Sequence, residues 1–287
     1  MLSSAAGVLF DGFAYGMLLF LLSVGLSVTL GMMNFVNLAH CSFAMVGAYA
    51  TMTLVGNWGW PFLATLPVAF IDAAVVALIL ERIFFRRLYR ASDLDQCLLT
   101  IGIVFISIAA YAWFYTTEQQ SVRIPDWLQG SWHAGALAFA HYRVFLIVFG
   151  LAITALLIFG IERTRWGAQV RAAVDNQRMA RGLGIDVDRA FMFTFALGGG
   201  LAGLGGALSI QMVGLDPTFA LTYLVYVLIV VAIGGLGSIG GSFVAAIVLG
   251  ISDMAGKYYF PWLGAFLIYL VMVGLLMWRP LGLFGKR

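Results

Sequence analysis

An all-α, polytopic membrane protein is the fold class predicted by three features of the sequence. Hydrophobic residues make up 62% of the 287 residues and charged residues only 10%, against about 25% charged in an ordinary soluble domain. The apolar residues gather in runs long enough to cross a hydrocarbon core of roughly 30 Å, which takes about 20 helical residues. Thirteen of the sixteen Lys and Arg residues fall in three stretches between those runs: 81–93, 161–190 and the tail from Arg279. Arg123, Arg143 and Lys257 occupy the alternating connections. Cations concentrate in short loops on the cytoplasmic side of an inner membrane, so the pattern orients the chain as well as classifying it.

Taken in order, the runs place candidate spans at 8–30, 34–55, 61–80, 95–115, 142–160, 191–213, 221–236, 242–256 and 262–278. No basic segment precedes the first run, which therefore reads as a membrane helix and not as a cleaved leader. Spans 221–236 and 242–256 are short and flank GGLGSIGGS (234–242). They read as two half-helices or as a tight re-entrant pair, which gives eight or nine crossings. Nine crossings, counted back from the basic tail, put the N-terminus outside and the C-terminus in the cytoplasm. The chain is then a single transmembrane domain over 1–287, with a cytoplasmic connection at about 161–190 and an outer one at about 116–141. In the outer connection Trp127, Trp132 and Tyr142 favour the headgroup level. Part of it is expected to lie as an interfacial helix, serving as a cap or as a docking surface. The net charge of +3 reports orientation, with no nucleic-acid surface implied. Cys41 and Cys97 make no disulfide framework.

The inner connection carries the sharpest pattern. Val170, Ala173, Val174, Met179 and Ala180 interleave with Arg171, Asp175, Arg178 and Arg181. This suits one or two short amphipathic helices closed by Gly182 or Gly184, residues favoured just past a helix end. A rigid polar element joining two membrane helices is what a cytoplasmic partner needs to push on. A plain solvated positive loop has the same composition.

In the second run Asn34, Asn37 and either His40 or Cys41 recur at helical spacing, followed by Ala44 and by Gly47 or Ala48. Polar side chains are costly in lipid, so this stripe faces the bundle or a wet pathway. It is read either as a lining of the translocation route or as interhelical hydrogen bonding. Asp72 and Asp253 are intramembrane carboxylates, Asp253 four residues before Lys257. Asp72 is the stronger pathway candidate of the two. Gly199, Gly203 and Ala207 repeat every four residues, as do Gly198, Ala202 and Gly206. Small residues at this spacing let helices approach closely, and two such faces fit packing within the chain on one side and against a second permease on the other. Gly234, Gly235, Gly237 and Gly240 read as a hinge or helix break.

Several chemistries lack their residues. The nearest approach to a phosphate-binding GxxxxGK[ST] is GISDMAGKY at 250–258, with one residue too many and Tyr in place of Ser/Thr. No GxSxG elbow, HExxH or Cys/His metal spacing occurs. The expectation is a transporter without catalytic residues, metal or ATPase site.

Four ordered segments then carry a resemblance: NFVNLAHCSFAMVGAYA (34–50), RAAVDNQRMARGLGIDVDRAFMFTFALGGGLAGLGGAL (171–208), VVAIGGLGSIGGSFVAAIVLG (230–250) and WRPLGLFGKR (278–287). Together they resemble the branched-chain amino acid ABC importer permeases of the LivH type. The family's motif has Gly after the His of NLAH, where this chain has Cys41. The resemblance implies a second homologous permease subunit and a periplasmic solute-binding protein. It also implies two cytoplasmic ATPase subunits that dock around Ala172, Ala173, Asp175, Ala180, Gly182, Gly184 and Ile185, joined on the pattern above by Arg171 and Arg178. ATP and Mg would be bound by those subunits, with no cofactor in this chain. The setting it implies is a bacterial inner membrane, and its first substrates are leucine, isoleucine and valine. Similar chains handle urea, short amides, other amino acids or aromatic acids. A secondary carrier or passive channel for a small polar solute is the alternative that composition and topology leave open.

Overall fold

The computed structural model describes residues 2–33, 35–89, 91–134, 137–280 and 282–285. A backbone in hydrocarbon has to satisfy its own N–H and C=O groups, and helices do this within one segment. The helices are α1 (Leu2–Met33), α2 (His40–Gly56), α3 (Phe62–Leu80), α4 (Arg86–Leu88), α5 (Asp93–Tyr115), α6 (His141–Arg163), α7 (Arg165–Asp175), α8 (Gln177–Gly182), α9 (Val187–Val213), α10 (Phe219–Gly234), α11 (Ile239–Tyr259) and α12 (Gly264–Trp278). A π-helical turn, Glu81–Phe85, carries α3 into α4. Six segments among the described residues are long and apolar enough to cross a membrane: Ala5–Gly31, Phe62–Leu88, Asp93–Tyr115, His141–Ile161, Val187–Val213 and Ile239–Tyr259. Phe219–Gly234 and Phe266–Trp278 are shorter apolar helices. The all-α polytopic class therefore holds.

Three local expectations change. The second run is not helical over 35–39, and α2 begins only at His40. Among the described residues the outer connection forms no interfacial helix longer than the single 3-10 turn Asp126–Leu128. It folds as a hairpin of β1 (Ser131–Ala134) and β2 (Leu137–Ala140), in which Trp132 stands opposite Phe139, a cross-strand aromatic pair of the kind that stabilises short ladders. The run 242–256 is no half-helix either, because α11 extends over 21 residues and ends at Tyr259.

The chain has two ends. At one, which we call the basic face, Arg86 pairs with Asp188, Arg82 touches Met192 and the tail is anchored by Leu283 N–H donating to the Ile233 carbonyl at 2.7 Å. At the other, the hairpin face, Gln120 bridges Leu215, Arg143 pairs with Asp11 and Phe10 packs edge-on to Phe139. Trp58, Trp60, Trp113, Trp127, Trp132 and Trp262 are all exposed and belong to that second end, an aromatic belt at the headgroup level.

Helices α1 and α9 form the centre, with 89% and 83% of their most apolar windows buried, against 11% for α5. Close approach explains the glycines of α9. A Cβ on Gly206 would overlap the Ala44 main chain of α2, and one on Gly198 would meet Thr29 and Gly25 of α1. Gly199 and Gly203 accept Ala77 and Ala73 of α3. Both small faces of α9 are thus consumed inside the chain, so neither is left for a second permease as the spacing had led us to expect.

Candidate functional site

The inner connection over 161–190 grows from a set of local caps. Thr164, Asn176 and Asp186 each accept a hydrogen bond from the backbone N–H three residues on, starting α7, α8 and α9. Such caps satisfy N–H groups left open in a first helical turn. Helix α8 stops by a Schellman arrangement: Ile185 N–H donates to the Ala180 carbonyl and Gly184 N–H to that of Arg181. Gly184 sits at φ +81°, a left-handed conformation that glycine adopts without the penalty of a Cβ. Of the one or two amphipathic helices expected there are two, and of Gly182 and Gly184 it is Gly184 that closes the second.

The element is fixed to the membrane body by a small core of its own. Ala173, Ala180, Val187 and Phe191 are buried together, with Met33, Tyr89 and Ile185 packed against them. Tyr89 donates to the Glu81 carboxylate at 2.7 Å. Burial, then that hydrogen bond and the nearby carboxylates, hold its phenol well above the ordinary range, so it stays a donor. Asp188 ties three elements at once, accepting from Arg86 at 2.8 Å and from Arg181 at 2.9 Å. Arg171 caps the end of α6 by donating to the Ile161 carbonyl.

The residues singled out in this region divide by position. Ala173 and Ala180 are buried and Ala172 and Ile185 are half-buried, whereas Arg171, Arg178, Gly182 and Gly184 are exposed. The side chain of Asp175 lies outside the described residues. Sequence reasoning missed the outward apolar pair Met179 and Leu183, 70% and 78% exposed. With Asn176, Arg178 and Gly182 they line a groove of about 430 Å³ on the outside of α8. Their signal was present as two large apolar residues among arginines.

The predicted pathway set is not brought together. Asn34 lies outside the described residues. Asn37 is buried and its Oδ1 accepts from Ala39 N–H at 3.1 Å, an Asx turn. Gln96 Oε1 accepts from Val36 N–H at 3.0 Å. Together they supply acceptors that a helix would otherwise have provided. His40 is 1% exposed, and its Nε2 donates to the Leu22 carbonyl at 3.0 Å. Leu22 stands three turns, about 16 Å, from the end of α1, which places His40 near mid-depth. Cys41 is equally buried. Asp72 is separate from all of these, exposed on α3. Asp253 is 1% exposed and pairs with Lys257 at 2.6 Å. GGLGSIGG is a turn at the basic face and not a break at mid-depth. Gly235 lies at φ +92° and Gly237 at φ +77°, with Gly31 at the end of α1 and Gly285 of the tail against them. A Cβ on Gly234 would meet Ser242 of α11, whereas Gly240 faces open space.

Residues 8–276 match the family described as the permease component of the branched-chain amino acid transport system. The chain belongs to that family. The permease is 26% identical to the high-affinity branched-chain amino acid transport system permease protein LivH of Escherichia coli (strain K12), over 97% of this chain and 94% of the relative. It is 24% identical to the corresponding protein BraD of Pseudomonas aeruginosa, over 97% and 95%. It is also 26% identical to the E. coli permease protein LivM, over 93% of this chain and 68% of that protein. No solved structure matches the permease.

Proposed function

We propose that this permease is one membrane subunit of an ABC importer that carries branched-chain amino acids across a bacterial inner membrane. The observation that supports this most directly is α8. It is a short capped helix, bonded through Asp188 to α4 and α9 and packed through Ala180, beside Ala173 of α7, on Phe191, that still presents Met179 and Leu183 outward. An apolar patch of this kind on a charged loop marks an interaction surface. A second, LivM-like permease would complete the membrane core. Two ATPase subunits would bind ATP and Mg, dock on α8 at the cytoplasmic, basic face, and move α9 and α4 with it. A periplasmic binding protein would deliver solute to the hairpin face, and the C-terminus would be cytoplasmic. ATP acts on the route by favouring one of two alternating states over the other.

The test is purification of the tagged chain in mild detergent from its native membrane, followed by reconstitution into vesicles. We expect a second permease and ATPase chains to copurify, and leucine uptake to require ATP on the basic-face side. Solute flux without ATP or partner chains would replace the importer with a channel or carrier.

A further inference from the structure

Asp72 stands in α3 with its neighbour Ile71 59% exposed, at a depth where hydrocarbon would surround it. Among the described residues no cation pairs with it. Ionisable groups at such depth face a partner or a water-filled route, not lipid. Helical spacing puts Asp72, Val76 and Leu80 on one face, with Asp72 one turn beyond the groove that the other two line. Val76 and Leu80 form one wall of a groove of about 310 Å³ whose other wall is α5, with Ile103, Ser107 and Tyr111, and whose floor is α2. Ser42 and Ser107 are hydrogen-bonded across it at 2.8 Å. Tyr111 stacks on Tyr49 at 4.3 Å, and the buried Tyr49 hydroxyl has no partner among the described residues. Helix α5 is packed mainly against α2 and α10, so this groove stays open between α3 and α5.

We infer that this groove is the solute-facing wall of the translocation route, and that Asp72 receives the α-ammonium group of the transported amino acid. The inference rests on the importer reading above. Its chemistry is complementary to a zwitterion with an aliphatic side chain. One carboxylate meets the ammonium group, Tyr111 in the groove lining brings a hydroxyl for the solute carboxylate, and Val76 and Ile103 offer apolar surface. Lipid tails bring no cation to Asp72. A single carboxylate without a fixed Lys or Arg also gives a contact that water can exchange, as release from a transport site requires.

The experiment uses the complete complex in proteoliposomes and measures ATP-driven leucine uptake for wild type, Asp72→Asn, Asp72→Glu and Val76→Trp. Ile106→Leu, on the 70% exposed outer side of α5, is the control. We expect Asp72→Asn to cut uptake at least tenfold, Asp72→Glu to restore most of it, and Val76→Trp to block it. Subunit stoichiometry and basal ATP hydrolysis should stay as in wild type. Wild-type uptake by both Asp72→Asn and Val76→Trp overturns the inference while leaving the importer intact. Loss of the second permease from Asp72→Asn also overturns it, by making the groove a subunit contact. A wild-type complex that takes up no leucine overturns the importer reading itself.

Discussion

At Gly47 and Gly203, α2 and α9 meet main chain to main chain, so an added side chain has to displace a whole helix. Gly47→Leu is expected to destabilise the protein by about 3 kcal/mol, the upper part of the usual range for overfilling a packed interior. An unchanged thermal midpoint in detergent would show the contact to be loose. His40 behaves differently. Its bond to the Leu22 carbonyl is one hydrogen bond in a packed interior, worth about 1 kcal/mol. His40→Leu should therefore lower the midpoint modestly and leave the KM for uptake unchanged, whereas a tenfold rise in KM would restore the pathway role suggested by the sequence. That suggestion came from the spacing of Asn34, Asn37 and His40. Three-residue spacing looks the same whether it builds a helix face or an Asx turn, and here the Asn37 side chain captures Ala39 N–H before the helix starts.

In α8 the usual assignment of faces is reversed. Its inward residue is Ala180, next to Ala173 of α7, because Phe191, Tyr89 and Met33 already fill the space beneath, and the larger Met179 and Leu183 point out. The amphipathic pattern and the Gly184 terminator were legible in the sequence, but which apolar residues face inward was not. Leu183→Asp is expected to leave the thermal midpoint unchanged and to weaken ATPase association at least tenfold, measured by copurification. Retained association would move the docking surface elsewhere. Asp188 invites a separate test. Its partners are about half exposed, so each pair contributes only about 0–1 kcal/mol. Asp188→Asn should thus spare folding yet reduce the uptake obtained per ATP hydrolysed, because α8 loses its link to α4. Equal coupling in the variant would leave the apolar core as the sole connection.

Over the whole molecule, large apolar side chains lie outside as well as inside, and the closest helix junctions are made by small residues. Phe105, Ile106, Phe114 and Leu156 are exposed, while glycine and alanine fill the junctions of α1, α2, α3 and α9. Lipid removes the incentive to hide large apolar groups, and close packing of small residues takes over. Composition therefore revealed the class and most spans, but the depth of each segment depended on contacts such as Gly31 with Gly237. Single cysteines at Trp132 and at Leu183, with Cys41 and Cys97 replaced, should react with impermeant reagents from opposite sides of the membrane. Labelling from one side would refute the assignment of the two faces. The stretch over 35–39 also constrains the order of synthesis. Val36 N–H is answered by Gln96, sixty residues later, so a ribosome that has made α2 but not α5 exposes an unanswered amide to the membrane. The loop that leads into α2 can close that bond only after α5 has been made.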